Sequence, residues 1–504
     1  MRPLLPLLLL AGCTVGPNFE RPAPPAATAG YAAAADAPRG APTAVPGEGP
    51  QPGWWKAFGS PTLDALVAQA LANNQSLAAS NATLARARAR IEAVAGRRLP
   101  QVDADARAEH QQVNLSAFGF DGASLGRPGL GNPEFDLYTV GGGVSYDPDL
   151  FGRNRRSLER SVAQAEAQAH QTEAAHLTLA GRVVTQVLTI AAIRDRSAAA
   201  KAIIAEDQRN VRLTEARRRA GAGTLVEVLS ARGQLAGDEG DLPQLDQQLA
   251  EARAMLALLL GLSPAELGAT DFALADFTLP AQIPVTLPSE LARKRPDILQ
   301  AEADLHAATA AIGVATARLY PSITLGASIA QSAQSPGDLL GTDYRGFDIF
   351  AGLSAPIFRG GTLRADKRGA EAAAQASAAT YRQTVLEAFG QVYNLLAALG
   401  NDARSLATQQ QAADLTERSL RLSRRSFQVG NSGILQVLDA SRLNQRARLA
   451  LVEAKARQYL NVARLHVATA GGWIGSPDTA ATESMALPIV STPQSGLSPA
   501  RKGD

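Results

Sequence analysis

The chain is short of most things a globular enzyme is built from. In 504 residues it has one cysteine, three methionines, three tryptophans and five histidines, and aromatic side chains make up only 5%. A lone Cys13 excludes any disulfide within the chain. His110, His170, His176, His306 and His466 form no HxxxH or HExxH pair, and no glycine-rich phosphate loop occurs, so the sequence offers no catalytic constellation, no metal site and no cofactor cradle. Lysine and arginine total 49 against 47 acidic residues, a balance that gives no case for nucleic-acid binding. The single Arg359-Gly360-Gly361 triplet reads as a turn at a strand end. No stretch beyond the first dozen residues reaches the roughly 20 apolar residues that a spanning helix needs, so any membrane crossing must use β-strands.

Alanine is abundant, as in "AEAAAQASAAT" from Ala370, which suits long helices packed through small side chains. Residues 1–12, "MRPLLPLLLLAG", have the layout of a secretory signal peptide, and Leu10-Ala11-Gly12-Cys13 resembles a bacterial lipobox. Cys13 is therefore the expected acylation site, with membrane lipid as its partner, and the shortness of the leader points to a start upstream of Met1. Residues 13–53, rich in Pro, Ala and Gly, read as an extended lipid-anchored linker.

The chain is written twice. "RRRAGAGTLVEVLSAR" from Arg217 aligns without a gap on "RRSFQVGNSGILQVLDASR" at a separation of 209 residues, Gly221 falling on Gly430. "RRLPQVDADARA" from Arg97 likewise resembles "ARLYPSITLGAS" from Ala317, and "DPDLFGRNRRS" from Asp147 resembles "SAPIFRGGTLRA" from Ser354. So long a period makes each copy a complete set of elements: repeat 1 over 54–262, a connector over 263–288 assigned to a belt around the middle, repeat 2 over 289–473, and a tail over 474–504 expected to be disordered.

Each repeat holds two segments of period two, in hairpins over 100–151 and 321–358. Val102, Ala104, Ala106 and Ala108 share a face, as do Tyr138, Val140, Val144 and Tyr146; Ile323, Leu325, Ala327 and Ile329; and Phe347, Ile349, Ala351, Leu353 and Ile357. Strands apolar on one side and polar on the other are what a transmembrane barrel requires, but four cannot close one. Between the hairpins, Asn154 to about Ala220 and Gly361 to Gly430 contain no proline and read as helices on the order of 100 Å long. Val385, Phe389, Val392, Leu396, Leu399, Ala403 and Leu406 form a heptad seam, and the return helices Thr224 to Leu260 and Ile434 to Ala470 complete antiparallel coiled-coil hairpins with tips near 221–224 and 430–433. Pro243 is expected to kink the first return helix. Thr62 to about Gly96 and Ser289 to about Leu319, the latter restarting at Pro296, supply the remaining length, and Trp54 and Trp55 are assigned to packing.

On these residues, together with "GCTVGPNFERP", "WWKAFGSPTLDALVAQAL", "LPSELARKRPDILQAEADLHAATAAIGVATARLYPSITL" and "GILQVLDASR", the chain resembles the TolC-like outer-membrane factors, specifically the NodT-type efflux lipoproteins. The resemblance implies a mixed α and β membrane protein: a homotrimer whose three sets of four strands form a twelve-stranded barrel continued by a coiled-coil periplasmic barrel. It implies a passive, gated exit duct in the outer membrane, driven by an inner-membrane RND-type transporter through a periplasmic adaptor. Carried over by position, the periplasmic gate is Leu435, Asp439 and Arg442, with Gln436 where some relatives have a second aspartate, and the adaptor-facing tips are Ala222, Gly223, Asn431 and Ser432. Two other readings stay open: a coiled-coil lipoprotein that braces the envelope without a pore, and the same channel serving type I protein secretion or metal-ion export.

Overall fold

The computed structural model describes residues 14–23, 42–47, 49–50, 52–114, 133–268, 270–341 and 345–470. The signal peptide, Cys13 and the tail lie outside the described residues.

Four strands form one antiparallel sheet in the order β2-β3-β5-β6: β2 is Gln101–Gln112, β3 Glu134–Tyr146, β5 Ser322–Ala333 and β6 Arg345–Ser354. Its register puts Val102 opposite Val144, Val144 opposite Ala327, and Ala327 opposite Ile349. The apolar positions that the spacing grouped on each strand therefore fall on one face, where Val102, Phe347, Ile349 and Leu353 are exposed, while Phe135, Leu137 and Phe350 lie on the other. The other face carries Asp103, Asp105, Gly141, Gly143, Thr139 and Ser332, the last two hydroxyls 2.9 Å apart, and Ser328 bonded to Asp348. Gly326 lies beneath the ring of Phe350, where a Cβ would collide with it. β6 ends at Ser354, so Ile357 lies past the strand with which its spacing grouped it.

Two helices of 67 residues, α3 (Arg153–Arg219) and α8 (Thr362–Gln428), run from the sheet to the tips, and α4 (Leu225–Leu259) and α9 (Ile434–Thr469) return along them. At a rise of about 1.5 Å per residue each long helix is about 100 Å. α3 is proline-free, and its one glycine, Gly181, lets Val467 of α9 approach to a distance no Cβ would allow. α4 runs through Pro243 as one helix; the ring forfeits a single backbone bond, and packing on α3 carries the helix past it. The short helices α1 (Pro61–Asn73), α2 (Gln75–Gly96), α6 (Pro288–Lys294) and α7 (Pro296–Ala317) occupy the space toward the sheet, α2 and α7 packing on α3. α1 and α2 are two helices where the sequence pattern suggested one. Asn74 breaks them because its side chain has two tasks: Oδ1 accepts from the Leu77 N–H at 3.1 Å, and Nδ2 donates to the last-turn carbonyl of Leu259 at 3.0 Å.

The main apolar core is equatorial. Trp54, Trp55, Phe58, Leu63 and Val67 meet Val183–Ala191 of α3, Leu256, Leu274, Leu291, and Tyr459, Val462 and Leu465 of α9. α3 contains an apolar window with mean hydropathy 1.4, long enough to span a membrane by length and composition, against the sequence expectation that no such stretch exists. More than half of that window is buried within the chain, which makes it core. Trp54 stacks on His466 at 5.4 Å, and burial holds the His466 imidazole below its ordinary pKa. The connector holds the short α5 (Pro264–Leu267) and a strand, β4 (Gln282–Thr286).

The segment read as a free linker is partly bound into the fold. Its strand β1 (Thr43–Gly47) pairs in parallel with β4. Residues 14–23 form a strap over α3 and α7, because Arg156, buried to 4% exposure, donates to the carbonyls of Val15 and Gly16 and to Asn18 Oδ1, while also pairing with Glu159 at 2.7 Å. Phe19 stacks on His306 at 4.4 Å, Arg21 pairs with Glu302, and Gly16, at φ +94°, packs on Gly313 too closely for a side chain. The His306 hydrogen bond, with help from Arg156, holds Glu159 below the usual carboxylate range. Replacing Arg156 by Ala is expected to cost about 2–3 kcal/mol through the carbonyls and the carboxylate left unpaired. Limited proteolysis should then cut within residues 14–23 faster than in the unaltered chain; an unchanged cleavage rate would mean the strap is held by other contacts.

Candidate functional site

The ends of the coiled coils farthest from the sheet are built alike and finished differently. α3 ends on Ala220, Gly221 adopts φ +74°, and the N–H groups of Ala222 and Gly221 donate to the carbonyls of Arg217 and Arg218 at 2.9 and 3.1 Å. α8 ends on Val429, Gly430 adopts φ +80°, and Asn431 and Gly430 donate to Ser426 and Phe427 at 2.9 and 3.1 Å. Both are the same left-handed helix stop, which a glycine makes at no steric cost.

The two returns then part. α4 starts with a closed capping box: Glu227 N–H donates to Thr224 Oγ1 at 3.3 Å, and Thr224 N–H to Glu227 Oε2 at 2.9 Å. α9 starts at Gly433 with no side-chain cap. A box of this kind contributes on the order of 1 kcal/mol that the second tip forgoes. Arg217 ties the tips together, donating to the Ala222 carbonyl at 2.9 Å while its guanidinium lies 4.6 Å over the ring of Phe427.

Leu435, Asp439 and Arg442 fall on one exposed face of α9 at spacings of four and three. The opposite face supplies Ile434, Val437 and Ala440 to a small apolar cluster with Leu420 and Phe427 of α8, and that packing turns the other three outward. Arg442 Nη2 donates to Asp439 Oδ1 at 2.6 Å, so the pair is satisfied along its own helix. Ala222, Gly223 and Asn431 are exposed or half-buried at the tips, and Ser432 carries a buried hydroxyl with no partner. Cys13 lies outside the described residues, but Thr14 packs on Gly152 and Val15 N–H bonds to Phe151 at 3.3 Å, so the described chain begins where α3 leaves the sheet.

A second cluster was not anticipated. On the buried side of α9, level with Arg442, Ser441, Asn444 and Gln445 are buried polar residues. Gln445 Nε2 donates to Asp207 Oδ1 of α3 at 2.9 Å, Gln234 of α4 bridges Gln445 and Asp238, and Glu206 faces Arg424 of α8 at 3.6 Å. Polar contacts thus join both coiled-coil hairpins. Burial, with Asp238 alongside, raises Asp207 to about 7. A sequence signal existed: Ile203, Asp207, Asn210 and Thr214 continue a 4-3-4 core spacing with polar side chains where apolar ones belong, and Thr224-x-x-Glu227 is a legible capping box. Among the described residues no group of histidine and carboxylate side chains is placed to hold a metal ion.

A carboxyl that holds its proton more tightly folded than unfolded adds stability that is full below about pH 4 and is lost as pH rises through about 7. Thermal unfolding followed by circular dichroism is therefore expected at lower temperature at pH 8 than at about pH 5, and Asp207→Asn should flatten that dependence. A variant with the parent's pH profile would remove Asp207 as its source.

The chain matches the family described as "Outer membrane efflux protein" over residues 66–262 and 287–471. It is 32% identical over 420 residues to the pyoverdine export outer membrane protein OpmQ of Pseudomonas aeruginosa, covering 83% of this chain and 87% of that one. It is 30% identical over 481 residues to outer membrane protein OprJ of the same organism, covering 93% and 95%. The solved outer-membrane channel OprN superposes with a TM-score of 0.79 at 30% identity, covering 92% of this chain and all of that one.

Proposed function

The chain belongs to the outer membrane efflux protein family, and from that premise we propose that three copies assemble into one gated duct through which small molecules, drugs and toxic compounds among them, leave the cell. The chain is an outer-membrane efflux channel subunit with an α and β channel fold. The observation that carries the trimer is the sheet. Its apolar side chains gather on one face over most of the strand length, and among the described residues β2 and β6 have no strand neighbour on their outer sides. In lipid such edges leave backbone N–H and C=O groups unpaired, so β6 of one copy must meet β2 of the next; three copies of four strands give a closed barrel.

Leu435, Asp439 and Arg442 of the three copies line the narrow end, on the tip whose return helix has no side-chain cap. The adaptor engages the tips at Ala222, Gly223, Asn431 and Ser432, and energy comes from an inner-membrane RND-type transporter, the duct itself being passive and without enzymatic activity. Cys13, acylated, anchors the N-terminal strap beside the barrel, two or more acyl chains making a stable hold.

Purified protein in planar bilayers is expected to conduct ions, and Asp439→Ala together with Arg442→Ala to raise the open fraction several-fold; unchanged conductance would remove these residues from the gate. Cys13→Ser is expected to abolish acylation and still require detergent for extraction. If that variant is found in the soluble fraction, the sheet does not span the membrane.

A further inference from the structure

Where the helices meet the sheet, a cleft of about 460 Å³ opens between the start of α3, the α7–β5 junction and the β6–α8 junction, and Arg153, Arg318 and Arg359 line it. Arg153 is held by Asp147 at 2.8 Å, and Asp149 is used by the first turn of α3 and by Arg155. Arg318 and Arg359 are exposed and make no ion pair among the described residues. Phe151 and Tyr320, stacked at 4.7 Å, form one wall. Ile323 of the apolar strand face lines the cleft, and beside it Ile357 and Phe358, just past the β6 edge, are 93% and 86% exposed in the single chain.

The internal repeat supplies a comparison. In the first copy Asp149, two residues before Phe151, accepts the N–H groups of Asn154 and Arg155 at 2.9 and 2.8 Å. In the second copy the residue two before Phe358 is Pro356, Arg359 is added, and the first turn of α8 has neither an acidic residue nor a side-chain cap. The oxyanion that the first copy carries in its own chain has no counterpart in the second, and two free guanidinium groups stand in the cleft.

We propose that this cleft binds the headgroup of an anionic phospholipid from the periplasmic leaflet of the outer membrane. Arg318 and Arg359 hold the phosphate through charge-assisted hydrogen bonds, and Ile357 and Phe358 lie along the acyl chains. A free phosphate ion would make no use of the apolar rim. The diacylglyceryl group of an acylated Cys13 carries no phosphate and so no use for the two cations. The site rests on the sheet spanning the membrane, which insertion into a bilayer reports separately.

The test is full-length protein in nanodiscs of phosphatidylcholine with a minority of phosphatidylglycerol, with lipids that stay bound after detergent exchange counted by native mass spectrometry. The unaltered protein is expected to retain phosphatidylglycerol preferentially, Arg318→Gln with Arg359→Gln to lose that retention by on the order of tenfold, and Arg404→Gln, on α8 away from the sheet, to keep it. Heat-resistant trimers confirm folding, and the single variants, each expected to fall by less, serve if the double variant does not insert. Equal retention of the two lipids by the unaltered protein, or unchanged retention in inserted variants, overturns the proposal. Displacement of the lipid by excess inorganic phosphate assigns the cleft to the free ion and also overturns it.

Discussion

Backbone polar groups in hydrocarbon must find partners, and the rest of this molecule follows from that constraint. A four-stranded sheet, apolar on one face with two open edges, cannot stand alone in a membrane. Closure by further copies is the arrangement that satisfies it, and closure fixes how wide the helical continuation must be. Each strand end at the periplasmic side then leads into or out of a helix: α2 into β2, β3 into α3, α7 into β5 and β6 into α8. Two long and two interrupted helical columns per copy are the direct result.

A column about 100 Å tall cannot be held by one compact core. The chain concentrates its bulky side chains at the equator, where Trp54, Trp55, β4 and α9 meet α3. Elsewhere small residues bring elements close, as where Gly313 of α7 admits the Arg156 side chain of α3. Rigidity at mid-height leaves the far ends to be tuned by a few polar contacts, Arg217 on Phe427 and Gln445 on Asp207 among them.

Duplication makes the halves comparable, and they differ at two matched places. The first copy closes its local valences: Asp149 caps α3, and Thr224 with Glu227 caps α4. The second copy leaves both places open, at Pro356 and at Gly433. One open place lies where β6 leads into α8 and the other at the tip where α9 begins.

Alternation in the strands, the absence of proline from the long helices, the paired glycines at 221 and 430 and the duplication itself were all legible in the sequence, because each depends on neighbours a few residues apart. Leu435, Asp439 and Arg442 were marked only by their positions in the family the chain resembles, and their common exposed face came from the fold. The break at Asn74 was not legible, since it depends on the carbonyl of Leu259, nor was the strap, since Arg156 reaches back to Val15, Gly16 and Asn18. The linker's partial order shares that origin, and so does the pairing of Asp207 with Gln445, though the core spacing that holds Asp207 was legible. Local periodicity fixes which elements form and which faces are apolar. Contacts between residues some 140 to 280 positions apart, such as Arg156 with Val15 and Arg21 with Glu302, decide where those elements stop, and only the folded chain brings such residues together.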